Sequence, residues 1–411
     1  MFVRGIFYER YFYPFCVAST EIMNRTAAIV PVRQLMLEYA RLTGLDPASG
    51  YPRRYLWTDA FAVCNYLGLF QKTDDEFYLQ LALRLIDQVH HSLGQHRIDD
   101  PRTGWISGLS KQEGELHPTR GGLRIGKSLR ERGSDEYYNA QQEWDRDGQY
   151  FHYLTKWMHA LNRVSRVAGN PVYTMWAIEL AHTAHTKFTY NDGSRKRMFW
   201  KMSIDLTRPL VLSMGQHDPL DGLVTCNELQ LTAVMDFGQS IGPDLVQEIA
   251  DMTGICRDIS LFTDDPLGIG GLLCDAARIT QIMIRGGPRY TGLLESMLDS
   301  ALAGLVSFKE SGLLQLPATR RLAFRELGLS IGLSGVEKLP EWIRNNMELF
   351  DNTSALQQRV KALLEFVPVR EKIEQFWLDE KNRKTGTWTD HREINMVMLA
   401  TSLAPDGFLE I

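Results

Sequence analysis

The chain is poor in the features that usually mark a function. It has five cysteines, at positions 16, 64, 226, 256 and 274, odd in number and widely spaced, and no Cys-x-x-Cys pair. That excludes a disulfide framework and a cysteine-rich zinc site, and fits buried thiols in a reduced, cytoplasmic protein. No block of Lys or Arg stands out and the net charge is −5. A nucleic-acid partner is therefore not expected, because phosphate neutralisation needs a basic face. No uninterrupted apolar run reaches 18 residues, so a membrane span is not expected either. The Gly-x-Ser-x-Gly elbow, the dinucleotide fingerprint and the His-Glu-x-x-His motif are all missing. "TRGGLRIGK" lacks phosphate-loop spacing and a preceding strand, and reads as flexible loop. Glu179, His182 and His185 have a Glu-x-x-His step but no second copy on another helix, so they read as a solvated face; no metal or other cofactor is expected. His90 and His91 read as surface residues.

What is present is helical periodicity. The 411 residues are 44% apolar and 23% charged, as in a globular chain. Residues 73–93 place Leu79, Leu83, Ile86, Val89 and Leu93 on one face, and similar amphipathic segments lie near 31–43, 171–188, 243–258, 290–307 and 354–367. Between them stand segments that are apolar nearly all round. "LGIGGLLCDAARITQIMI" (267–284) and "LAFRELGLSIGLSGV" (322–336) are two, and others follow Trp57, Asp147, Pro219 and Trp388. Such helices are buried, and glycines such as Gly328, Gly332 and Gly335 permit close helix approach. Six amphipathic and six buried helices in alternation predict an all-α fold of six hairpins closed into an (α/α)6 toroid, with stacked hairpins as the alternative. The single toroid is expected over 23–411. Residues 94–146, without helical period, are expected to form a lid or active-site loop, and an Asp-Gly turn predicts a β-hairpin near 187–204. Residues 1–22, rich in Phe and Tyr, read as either a docked arm or a misassigned start.

Trp-Thr-Asp occurs twice, at 57–59 and 388–390. In a closed ring the first and last inner helices are neighbours, so both copies are expected side by side at one rim of the cavity. Helix capping explains Thr and Asp; a saccharide site explains Trp as well, since indole offers a flat apolar face and a carboxylate binds hydroxyls or moves protons. A second cluster, "EWDRDGQYFHYLTKWMHAL", gathers Glu143, Asp145 and Asp147 beside Trp144, with Tyr150, His152 and Tyr153 following. Crowded carboxylates repel and separate their pKa values, which suits acid–base work. Asp390, His391, Arg392, Glu393 and Asn395 form a third, in which His391 is a candidate proton-transfer base. Arg325 and Glu326, inside an apolar helix, read as a buried ion pair or as cavity residues.

These hairpins and aromatic-acid clusters, and "EWDRDGQYFHYLTKWMHAL" above all, resemble the six-hairpin glycosidase-type toroids. The resemblance implies a saccharide in the central funnel and an Asp/Glu pair cleaving a glycosidic bond, drawn here from Asp59, Glu143, Asp145, Asp147 and Asp390, with Trp57, Trp144 and Trp388 as platforms and Tyr150, Arg325 and Glu326 as further contacts. The sequence also resembles N-acylglucosamine 2-epimerase-like enzymes, which implies proton shuttling by His391 and His152. A non-catalytic helical binding protein is the third reading. Hydrolysis is the first expectation.

Overall fold

The computed structural model describes residues 16–193, 195–238 and 241–411. Most of the N-terminal segment whose status was open, residues 1–15, lies outside the described residues; the rest enters the first helix. Outer helix α1 (Cys16–Thr43) leads to inner helix α2 (Leu56–Thr73) and outer helix α3 (Glu76–Leu93). Two short helices, α4 (Lys111–Leu116) and α5 (Ala140–Asp145), interrupt the long connection to inner α6 (Phe151–Ala168) and outer α7 (Val172–Phe188). Three more hairpins follow: inner α8 (Asp218–Met235) with outer α9 (Val246–Cys256), inner α10 (Pro266–Ile284) with outer α11 (Thr291–Glu310), and inner α12 (Ala323–Asn345) with outer α13 (Thr353–Leu364) and α14 (Pro368–Leu378). One-turn helices α15 (Glu380–Arg383) and α16 (Gly386–Thr389) precede inner α17 (Arg392–Leu403), and α18 (Asp406–Leu409) ends the order.

The inner helices close a ring. Each of α2, α6, α8, α10, α12 and α17 packs on the next, and α17 returns to α2. All run in the same direction, because side-chain bonds join equivalent levels. Asn65 Nδ2 donates to the Val397 carbonyl between α2 and α17 (3.1 Å), His159 pairs with Glu228 between α6 and α8 (3.0 Å), and Phe324 N donates to Asn395 between α12 and α17 (3.0 Å). Every inner N-terminus therefore opens on one face of an (α/α)6 toroid, as the alternation of helix types predicts.

Close approach in the ring depends on missing side chains. A Cβ on Gly270 would stand 2.1 Å from the Gly328 carbonyl oxygen, and one on Gly332 would stand 2.5 Å from that of Gly270. Helix α10 is long and apolar enough to cross a membrane, but it is an inner-ring helix packed between α8 and α12. The expected β-hairpin forms from β2 (Thr189–Asp192) and β3 (Arg195–Met198), turning at Gly193 with φ +62°. A second small sheet joins β1 (Gln149–Tyr150), β4 (Lys201–Met202) and β5 (Pro209–Val211).

The opposite end of the bore is filled by the chain after α17. Phe408 stacks on Phe61 with ring centroids 4.3 Å apart, and Gly407 lies so close to α2 that a Cβ on it would meet the Cys64 carbonyl oxygen at 2.4 Å. The bore is thus a funnel plugged where the inner helices end, with its mouth at the end where they begin.

Candidate functional site

An aromatic wall lines one side of the mouth. The Tyr55 and Tyr153 hydroxyls, at the starts of α2 and α6, lie 2.7 Å apart, and the Trp57 and Tyr153 ring centroids are 6.5 Å apart. Trp200 continues the wall, 5.2 Å from Tyr150 and nearly parallel to His152 at 6.3 Å. Trp144 extends it outward, 4.9 Å from Trp200 and half exposed. The small sheet sets this geometry, pairing Tyr150 with Lys201, the residue after Trp200. Lys201 Nζ donates to a Glu143 carboxylate oxygen (3.0 Å) and to the Arg146 carbonyl (2.8 Å), locking α5 beneath the wall.

Beside the wall, charged groups descend from the mouth. The exposed side-chain fraction falls from 27% at His152 to 13% at Lys156, 10% at Asp221, 4% at Asp275 and 1% at Glu228, and reaches 0% at His159. His152 makes no side-chain hydrogen bond with the described residues; its buried Nδ1 lies 3.5 Å from Asp218, whose Oδ2 is also buried and unpartnered. Unpartnered buried polar atoms are costly in a purely structural role and suit a site that completes itself around a ligand. Lys156 pairs with Asp221, whose carboxyl neighbours that of Asp275. Burial, then the neighbouring Asp221, push Asp275 up to about 7. Burial also works to raise Asp221, but Lys156 and Arg278 more than reverse it and hold that carboxyl below its usual range. Asp275 is therefore the one of the two that takes up a proton as pH falls, beside an ionised Asp221.

Below them Arg278 bonds Asp275 (3.1 Å) and Glu228 (2.6 Å). His159 faces Glu228 through Nδ1 (3.0 Å) and the Phe408 carbonyl through Nε2 (2.8 Å). Burial lowers the pKa of this imidazole against the opposing pull of Glu228, and both its nitrogens face acceptors. A continuous polar ladder thus links mouth to plug.

The residues chosen from sequence distribute differently. Asp59 is fully buried, accepting from Tyr39, Arg54 Nη1 (3.2 Å) and Tyr55 N (2.8 Å), and burial raises its carboxyl. It fixes the start of α2 and does not line the funnel. Asp147 is likewise buried, held by Arg124 (2.6 Å), Arg97 (3.2 Å) and three backbone N–H groups. Glu143 is taken by Lys201 and Arg132, while Asp145 is exposed on α5. The two Trp-Thr-Asp copies are not equivalent. The starts of α2 and α17 do adjoin, joined by Arg53–Glu393 at 2.7 Å. But Trp388 belongs to α16, a turn before α17, where it is buried against Trp377 at 5.7 Å, and Asp390 is exposed. Neither Thr is an N-cap: Tyr55 and His391 occupy those positions. His391 is exposed at the rim, 5.7 Å from Phe324. Glu326 is buried on Arg321 (2.8 Å) and Trp377 (2.9 Å), whereas Arg325 pairs with Asp265 instead. His90 is not on the surface: it accepts from Trp157 Nε1 (3.2 Å), and burial lowers its pKa to about 3. The α7 face is not simply solvated. Glu179 takes His117 and Arg120 from the 94–146 segment, and His182 and His185 pair with Glu248 and Asp251.

Of the sequence candidates, Trp57, Tyr150, His152 and Trp144 come together. Lys156, Asp218, Asp221, Asp275, Arg278 and Glu228 went unrecognised, although charges spaced three and seven apart in otherwise apolar helices are costly to bury without purpose.

No protein-family model matches the chain, and no curated protein matches it. Among solved structures, a cellobiose 2-epimerase from Spirochaeta thermophila is similar at TM-score 0.48 and 10% identity, covering 94% of this chain and 98% of its own. A sugar epimerase from a ruminal bacterium reaches TM-score 0.46 at 9% identity, covering 85% and 87%. A cellobiose 2-epimerase from Bacillus thermoamylovorans reaches 0.42 at 10% identity, covering 77% and 76%.

Proposed function

We infer that the protein is a carbohydrate-active enzyme that moves a proton on a reducing sugar, an epimerase or isomerase, rather than a glycoside hydrolase. The observation that carries this reading is the imidazole of His152, which makes no side-chain hydrogen bond among the described residues, stacked near Trp200 and set against Asp218 at the funnel mouth. A base without a hydrogen-bond partner among the described residues, beside a flat apolar wall, suits abstraction of a proton next to an open-chain carbonyl. His152 takes the proton from that carbon, and the electron pair moves through the new C=C bond onto the carbonyl oxygen. The Lys156–Asp221–Asp275 set, with one cation and one carboxyl that takes up a proton, meets the charge that develops there. Return of a proton to the opposite face inverts the centre; His391, on the rim, is the candidate donor. Asp218 orients His152.

Hydrolysis is less well supported. It needs two carboxyl groups roughly 5–9.5 Å apart, flanking the bond. Asp221 and Asp275 are deeply buried on one side of the bore, and Asp59, Asp147 and Glu143 are taken by ion pairs. The reading is tested by incubating the protein with reducing mono- and disaccharides and separating the products. An isomer of unchanged mass is expected; shorter sugars from a disaccharide would establish hydrolysis instead.

A further inference from the structure

A cavity of about 600 Å³ lies at the plugged end of the ring, separated from the funnel by α18 and the His159–Glu228–Arg278 layer. Arg163 and Arg166 of α6, Lys338 and Trp342 of α12, Gln71 of α2 and Gln281 of α10 line it. The cations around it share their carboxylate partners. Arg166 and Arg285 share Asp236 (2.9 and 2.7 Å), and Lys72 and Lys338 share Asp406 (3.5 and 2.6 Å). Among the described residues Arg163 meets one carboxylate, that of Glu410, at 4.0 Å. Glu341, exposed on the rim, and Ile411 also line the cavity.

Six parallel helices end on this face, and their dipoles favour cations there. That accounts for the presence of basic residues but not for their unfilled valences. Nη1 of Arg166 and Nη1 of Arg285 are buried without a hydrogen-bond partner among the described residues. Arg163 gives Nε to the Gly407 carbonyl (3.2 Å) and Nη2 to Gln71 (3.4 Å), while its Nη1 makes no hydrogen bond with the described residues. Burial and the facing Arg285 depress the Arg166 pKa, as expected where like charges are crowded.

We propose that this cavity is a binding site for a phosphate group, carried by a small phosphomonoester or by inorganic phosphate, seated between Arg163, Arg166 and Lys338. Phosphate oxygens accept from several guanidinium and ammonium donors at once, which supplies what the cluster lacks. A cavity of this size has room for an attached organic group against Trp342. The site is independent of the funnel and of the reaction assigned to it.

The test is a calorimetric titration of the full chain with inorganic phosphate, with glycerol 3-phosphate and with glycerol, all at constant ionic strength in chloride. Saturable binding of a phosphate-bearing probe is expected, weakened at least tenfold in Lys338→Gln and in Arg166→Gln and unchanged in the funnel variant His152→Asn. Both substituted cations are partly exposed, so the variants fold, which circular dichroism checks. Tighter binding of glycerol 3-phosphate than of phosphate identifies an ester as the ligand; equal binding identifies the inorganic anion. No saturable binding above chloride, equal binding of glycerol, or affinity unaltered in both cation variants overturns the proposal.

Discussion

Asp275 reports on the buried ladder through its ionisation. Its carboxyl stands at about 7, against an ordinary value of 3.8. The folded state therefore holds a proton that the unfolded chain has already lost between those two pH values. The stability this contributes is complete below about pH 4 and lost as pH rises through about 7. Asp275→Asn keeps the neutral form at every pH. Wild-type stability relative to this variant is thus expected to fall between pH 4.5 and 8, by roughly 2–4 kcal/mol. Urea unfolding at both pH values measures it, and a difference independent of pH would show that Asp275 does not titrate in the fold. Glu228 works in the opposite sense. Burial opposes its charge, but His159 and Arg278 hold it far below the usual range, so its contribution is lost as pH falls below about 4.5. At the rim the expectation is small: Arg53→Ala removes an exposed ion pair and should change stability by less than about 1 kcal/mol in the same assay.

The contact between α10 and α12 depends on glycine. With a Cβ at Gly270 only 2.1 Å from a carbonyl oxygen, the helices must part or bend. Gly270→Ala is expected to cost about 3 kcal/mol or more by thermal or urea unfolding, although alanine is the better helix former. A neutral or stabilising result would contradict the packing. The same glycines show what was legible in the sequence. The apolar segments with Gly328, Gly332 and Gly335 are inner helices because a helix without a polar face has nowhere else to go. The amphipathic segments are outer because each has one face to bury. The chemistry was less legible, because a carboxylate's role depends on partners that spacing does not reveal. Asp59 meets Tyr39, 20 residues away, and Asp147 meets Arg97, 50 residues away. Both acids look available in the sequence and are spent on structure. Asp221 and Asp275 look like stray charges in apolar helices and become a pair only when α8 and α10 adjoin.

At the scale of the molecule, the ring has two unlike ends joined by one polar ladder. The segment after α17 makes this asymmetry, since Phe408 fills the bore and its carbonyl bonds His159. Phe408→Ala opens a cavity at the plug and should cost about 3–5 kcal/mol in urea unfolding; a cost under about 1 kcal/mol would show that the plug does not support the ring. At the other end, the proposed chemistry is exchange of a carbon-bound proton of a sugar by His152. The direct measurement is ¹H NMR of a reducing sugar incubated with the protein in D₂O, beside the His152→Asn variant. Loss of the signal from the hydrogen next to the carbonyl carbon is expected with the wild type, slowed at least a hundredfold in the variant, in line with the usual worth of a positioned base, about 10²–10⁴. Signal loss at equal rates in both proteins, or cleavage of a disaccharide with no exchange, would contradict it.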